Sequence, residues 1–235
     1  MIITAIKTRL FREREDLASF VAAHLKKVPE RSVLVIASKI VALSEGRTVP
    51  RAAGRTYARL VSEESAAAMK TRHAWLTVKD GMVMANAGID ESNAGGRLVL
   101  LPEDCFASAE RLRKELKKAY RVEKLGVVIS DSSVSPLRAG VTAHAVGYAG
   151  MKGVRDYRGR KDLSGRKMKI SRTNVADSIA TAAALAMGEG AERRPLALVT
   201  DAPVEFAEKI DRNETCIAPE DDLFHPFLKS LERKN

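Results

Sequence analysis

Two aspartates in short polar loops carry the clearest chemistry of this chain. Asp90 lies in Asn86-Ala87-Gly88-Ile89-Asp90-Glu91-Ser92-Asn93, and Asp131 lies in Ile129-Ser130-Asp131-Ser132-Ser133. Each follows an apolar run, Met82 to Ala85 for the first and Val127 to Ile129 for the second, so each acid is expected at the mouth of a strand. Two acids delivered side by side by neighbouring strands can hold a hard divalent cation over a phosphate. Asp is also a common cap of helices and turns, and for either residue taken alone that reading stands beside the metal. Ser38 and Lys39 directly follow the apolar run Val33 to Ala37, where a hydroxyl and an ammonium could meet a phosphate.

Several familiar chemistries are missing. There is no G-x-x-x-x-G-K-[ST] phosphate loop, no dinucleotide fingerprint and no nucleophile elbow. The four histidines are isolated, and His144, in an expected strand, reads as structural or surface because no Cys or acid is spaced to partner it. Cys105 and Cys216 form neither a metal-type spacing nor a disulfide framework. No apolar run is long enough for a bilayer span and the N-terminus is unlike a signal peptide, so a cytoplasmic protein is expected.

The chain that must position these residues has 235 residues, 45% hydrophobic and 30% charged, enough for one domain over 1–235 built as a single body or as two closely joined lobes. Its net charge of +10 suits anionic ligands. Dispersed basic residues and only 5% aromatics argue against a nucleic-acid stacking surface. The basic cluster Arg111, Arg113, Lys114, Lys117, Lys118 and Arg121, interspersed with Glu110, Glu115 and Glu123, reads as a solvated helix face.

Helices are expected over Arg14 to Lys26, Tyr57 to Lys70, Cys105 to Tyr120 and Thr173 to Met187, the last ended by Gly188. Strands are expected over Val33 to Ala37, Arg97 to Leu101, Leu125 to Ser130 and Leu196 to Thr200, with a hairpin over Trp75 to Ala85 turning at Lys79-Asp80-Gly81. Pro136 to Arg166 is punctuated by glycine yet keeps the alternation Val141, Ala143, Ala145, and reads as strands and tight turns lining a site. No repeat or low-complexity segment is present, and the tail to Asn235 is charged with an amphipathic end.

Taken in order, Ala37-Ser38-Lys39-Ile40-Val41 with Glu45-Gly46-Arg47, Ala85 to Asn93, Val99 to Pro102, Ile129-Ser130-Asp131, Ala145 to Gly150, Asp156-Tyr157-Arg158-Gly159 through Asp162 and Gly165-Arg166, and Ala176-Asp177 through Met187-Gly188-Glu189 closely resemble the coenzyme F-420-0:L-glutamate ligase family. The resemblance covers roughly residues 8 to 205. It implies an α/β fold of mixed α+β character, with mixed sheets, flanking helices and an intertwined homodimer. It also implies a GTP-dependent ligase: GTP phosphorylates the carboxylate of F-420-0, and the amine of L-glutamate attacks the acyl phosphate. Magnesium or manganese at two sites is implied, with K+ as a further aid.

By the same resemblance, Asp90 and Asp131 hold the first metal, Ser132 (where threonine is common) and Glu189 serve the second, and Asn93 touches GTP. Ser38 and Lys39 match the nucleotide-contacting pair, Gly188 and Gly190 belong to a phosphate-side loop reaching Arg194, and the GTP-contacting N-terminal segment falls near Leu10 and Phe11. Arg138, Arg158 and Arg166 are further candidates for neutralising acceptor or phosphate groups, because guanidinium forks suit both. The chain departs from the family pattern at Leu43, commonly lysine, at Val134-Ser135, commonly Gly-Arg, at Ser178, commonly an acid, and at Thr200-Asp201, commonly Arg-Gly. Those positions concern recognition of nucleotide or acceptor, so the same chemistry on another acceptor such as folate, and a non-catalytic nucleotide- or RNA-binding relative, are the alternatives.

Overall fold

A computed structural model of the chain describes residues 1–51, 56–92 and 95–232. β1 (Ile2–Ile6) leads to α1 (Leu17–His24), whose start is set by Asp16: its carboxylate accepts from the Ser19 N–H at 2.8 Å. β2 (Ser32–Ala37) runs straight into α2 (Ser38–Glu45), which stops at Gly46, at φ 68°. The positive φ suits glycine as a helix end. β3 (Thr48–Pro50) and α3 (Tyr57–Glu63) follow, then β4 (Ala67–Lys70), β5 (Trp75–Lys79), β6 (Met82–Ala85) and β7 (Arg97–Val99). α4 (Cys105–Tyr120) begins at an Asp104 cap that accepts from the Ala107 N–H at 2.8 Å. β8 (Leu125–Ser133), β9 (Thr142–Ala149), β10 (Val154–Asp156) and β11 (Arg172–Asn174) precede α5 (Val175–Met187), capped by Asn174. β12 (Leu196–Thr200) and α6 (His225–Glu232) close the order.

The main sheet has the order β1-β12-β2-β8-β9. Only β2 and β8 pair in parallel; the other neighbours are antiparallel, so the sheet is mixed. Its alternation divides the core in two. Leu34, Ile36, Leu125, Val127, Ile129, Leu196 and Leu198 point to the face covered by α1 and α4, while Val33, Val35, Val128, Ala197 and Val199 point to the face covered by α5. The flanked mixed sheet is the architecture the resemblance implies. Gly147 lets α4 lie close on β9: a Cβ there would stand 2.4 Å from the Cys105 carbonyl carbon.

A smaller layer packs around Leu60, Val61, Ile89, Leu98 and Leu100, with the meander β4-β5-β6 and the pair β3-β7. Glu64 ties this layer together through Arg47 at 2.9 Å and Lys79 at 3.0 Å.

Several expectations need correction. The helix expected to reach Lys70 stops at Glu63, because residues 67–70 pair antiparallel with residues 75–78. The helix expected from Thr173 starts at Val175, since residues 172–174 form β11 against β10. α1 is shorter at both ends than Arg14 to Lys26. β7 ends at Val99 instead of Leu101, and β8 runs on past Ser130 to Ser133. Arg113, placed on a solvated face, is 2% exposed: it donates to the Leu125 carbonyl at 2.8 Å and to Glu208 at 2.6 Å.

Glu208 belongs to a strap, residues 203–216, that crosses the main sheet's helical layer and fastens at several points. Glu214 accepts from Tyr148 Oη at 2.9 Å and from the Gly153 N–H at 2.5 Å, Arg212 pairs with the capping Asp104 at 2.8 Å, and Phe206 bridges to Met151. Burial and the Glu214 carboxylate both raise the Tyr148 phenol well above its usual range, which keeps it a donor. Among the described residues no helix is long and apolar enough to cross a membrane.

Candidate active site

One cleft of about 510 Å³ opens beyond the end of β2. Its floor holds Ser38 and Lys39 in the first turn of α2, a helix start with no capping side chain. Ser130 to Ser132 of β8 lie beside them, because the parallel register sets Ala37 opposite Ser130. A bulge in β9 follows: Ile129 faces Gly147, but Ser130 faces Ala145. The extra residue increases the local twist just where Asp131 emerges. Asp131 therefore sits within the strand, two residues before its end, not after it.

Asp90 arrives by a different route. Asn86, Ala87 and Gly88 all have φ between 54° and 72°, and this left-handed turn is pinned by Asn86 Oδ1 accepting from the Trp75 N–H and Thr77 Oγ1 accepting from the Ala87 N–H, both at 2.9 Å. Ala87 in that region is strained. The turn leads to Ile89, buried in the small layer, and to Asp90, whose backbone exchanges both hydrogen bonds with Val99. The two acids do share a cleft, but the smaller layer supplies one and the main sheet the other. They are not delivered by neighbouring strands.

The two carboxylates differ in environment. Asp131 accepts from Ser38 Oγ at 2.7 Å, and burial pushes its pKa up to about 6, with the Asp90 charge adding to the rise and the Ser38 bond opposing it. For Asp90 burial also works upward, but the Lys39 ammonium at 2.5 Å and the Ser92 N–H at 2.6 Å outweigh it and hold the acid below its ordinary value. Lys39 also donates to Ser92 O at 3.0 Å and Ser92 Oγ at 2.8 Å. Ser92 thus completes the Asp90 and Lys39 arrangement. It was not among the expected site residues, although its place two residues after Asp90 is the spacing of an Asx turn.

The opposite wall is the loop after α5. Glu189 accepts from Ser132 Oγ at 2.9 Å, and Gly188 and Gly190 line the same cleft as Leu10 and Phe11. Thr8, Arg9, Glu192, Arg193 and Arg194 join them. Arg9 is held by Glu15, whereas neither Arg193 nor Arg194 is in an ion pair among the described residues. The cleft accordingly gathers Leu10, Phe11, Ser38, Lys39, Asp90, Asp131, Ser132, Gly188, Glu189 and Gly190 from five separate stretches of chain.

The three arginine candidates lie elsewhere. Arg158 pairs with Asp156 at 2.6 Å, Arg166 with Asp162 at 3.4 Å, and Arg138 sits exposed in the loop between β8 and β9. None of the three lines the cleft. Asn93 lies outside the described residues. His144, read as structural or surface, lines a second cavity beside the cleft and bonds Ser133 Oγ at 3.2 Å.

Among the described residues no three His, Cys, Asp or Glu side chains gather as a metal-binding group. What the cleft presents is a buried carboxylate with a raised pKa, a second carboxylate neutralised by lysine, and hydroxyls. That hard-oxygen set fits a magnesium-type ion, which commonly takes one or two carboxylates and completes its shell with substrate phosphates and water.

A family model described as F420-0:Gamma-glutamyl ligase matches residues 5–201. A protein of Archaeoglobus fulgidus described as coenzyme F420:L-glutamate ligase is 33% identical over 241 residues, covering 94% of each chain. The protein of that name from Methanopyrus kandleri is 35% identical over 206 residues, 80% of this chain and 81% of its own length. For the Methanococcus maripaludis protein the identity is 38% over 146 residues, and the match spans 62% of this chain and 58% of that relative.

Proposed function

Because the chain belongs to the F420-0:gamma-glutamyl ligase family, we propose that it joins the amine of L-glutamate to the carboxylate of coenzyme F420-0, with GTP as the activating nucleotide. The observation that carries the proposal is the pairing of Asp90 and Asp131 in one cleft with Lys39 and a glycine-bearing loop. A carboxylate is a poor electrophile because oxide would have to leave, whereas phosphate leaves readily.

In the first step a carboxylate oxygen of the acceptor attacks the γ-phosphorus, the bond from that phosphorus to the β–γ bridging oxygen breaks, and GDP departs. In the second the glutamate nitrogen attacks the acyl carbon, the carbon–oxygen bond to phosphate breaks, and the amine proton passes to solvent. Both substrates of the first step are anions, so their approach costs Coulomb energy unless positive charge stands between them. Lys39, in the first turn of α2, supplies part of that charge. Asp90 and Asp131 would hold magnesium or manganese, with Ser132 and Glu189 beside a second ion, and the metal supplies further neutralisation of the phosphates. Arg193 and Arg194, in no ion pair among the described residues, line the same cleft and suit the remaining charge.

The same reading includes a homodimer. Leu137, in the loop between β8 and β9, and Leu163 and Ile170, between β10 and β11, are 86% exposed or more, and a second copy that covered them would take that apolar surface out of water. A second acceptor, such as folate, is favoured by one observation: Leu43, which replaces a commonly basic residue, lines the cleft. Incubation with GTP, magnesium or manganese, glutamate and either acceptor separates these by mass. A glutamate adduct of F420-0 is expected; an adduct of folate alone would reassign the acceptor, and formation of neither adduct nor GDP with either acceptor would remove the ligase reading.

A further inference from the structure

We propose that the groove between α5 and the first half of β9 is the acceptor subsite: it takes an elongated organic acid with an apolar body and a second anionic group. The assignment rests on the ligase reading above. The groove measures about 930 Å³, against about 510 Å³ for the cleft. A nucleoside triphosphate alone is a drug-sized ligand that uses a cavity of some 300–1,000 Å³, so a cleft of this size suits one such molecule and the larger groove beside it is the place for a second.

The two cavities meet. Ala143, Ala184, Gly188 and Glu189 line both, and at that shared wall Ser132 bonds Glu189, one residue from Asp131. Phosphoryl transfer between two bound molecules needs their reacting ends in line and a few ångströms apart. A molecule lying along the groove offers one end to this junction, where the terminal phosphate of a nucleotide in the cleft would also arrive.

The walls state the chemistry of the ligand. Ser178, Thr181, Ala182 and Leu185 stand at i, i+3, i+4 and i+7 on one face of α5, where the two hydroxyls are spent on the Asn174 and Ala143 carbonyls at 2.6 and 2.8 Å, and Val141 and Ala143 stand opposite. Asp177 also borders the groove, but its carboxylate is consumed internally, accepting from the Ala145 N–H at 2.8 Å and from Asn174 Nδ2 at 2.7 Å. Arg172, exposed at the far mouth, is in no ion pair among the described residues and suits an anionic group remote from the reacting end.

The test uses Ser178→Trp and Leu185→Trp, both exposed positions on α5 where bulk enters the groove without entering the core. Steady-state kinetics should show the acceptor KM raised roughly tenfold or more, with GTP and glutamate KM within about twofold. Arg172→Glu, which alters charge at the far mouth, should raise the same constant. Unchanged acceptor KM in both tryptophan variants overturns the proposal. So does an equal rise in GTP KM, which would make the groove part of the nucleotide site. A rise seen only where size-exclusion chromatography shows loss of an oligomer also overturns it and gives the groove to a second copy of the chain. Failure of the unsubstituted protein to form any glutamate adduct is a separate result, which removes the ligase reading on which the subsite depends.

Discussion

Asp131 bears a cost of burial that becomes a pH dependence. Its pKa in the fold is about 6 against an ordinary 3.8, so the folded state favours the protonated acid. The associated stability is complete below about pH 4 and is lost as pH rises through 6, amounting to about 3 kcal/mol at ~1.4 kcal/mol per pKa unit. In chelator, Asp131→Asn should therefore melt above the unsubstituted protein at pH 7, and the gap should close toward pH 4 in calorimetry. The same substitution should lower metal-dependent GTP turnover by roughly a hundredfold or more, since it would remove one of the two proposed ligands of the metal. An Asp131→Asn protein that turns over GTP normally would sink the assignment. The two thiols give an independent check on burial. Cys105 is pushed up to about 12, chiefly by burial, while Cys216 is exposed. At pH 8 one thiol should react with a disulfide reagent in the native protein, and a second only on unfolding.

At the scale of elements, α4 and β12 were legible to the residue because local signals agree with their surroundings. Asp104 caps α4, Arg121 ends it at φ 56°, and β12 is a plain buried run. The false helix over residues 64–70 was not legible: Glu63-Glu64-Ser65-Ala66-Ala67-Ala68-Met69-Lys70 has good helix formers, and only pairing with β5 turns its end into a strand. The Asp and Ser-Lys motifs pointed to one cleft correctly, yet the bulge that aims Asp131 and the left-handed turn that carries Asp90 depend on distant partners and left no local mark. Arg113 was misplaced for a similar reason, since besides Glu110 at 3.4 Å its shorter ion pair, at 2.6 Å, is with Glu208, 95 residues away. Arg113→Ala should destabilise by about 3 kcal/mol, from the cavity and the unpaired Leu125 carbonyl. Gly147→Ala should cost about 2 kcal/mol or more, because α4 must retreat from β9. Chemical denaturation measures both.

For the whole molecule, the proposed homodimer predicts that Leu137→Asp or Leu163→Asp shifts the protein toward monomer in light scattering while a monomeric elution of the unsubstituted protein would remove it. The strap over residues 203–216 matters at this scale too. It lies past residue 201, where the family match ends, yet it supplies the acid for Arg113, the acceptor for Tyr148 and the partner of the Asp104 cap. Expressing the chain only as far as the end of that family match would thus strip three anchors at once. Such a shortened polypeptide should enter inclusion bodies or bind a hydrophobic dye, even with every cleft residue still in place.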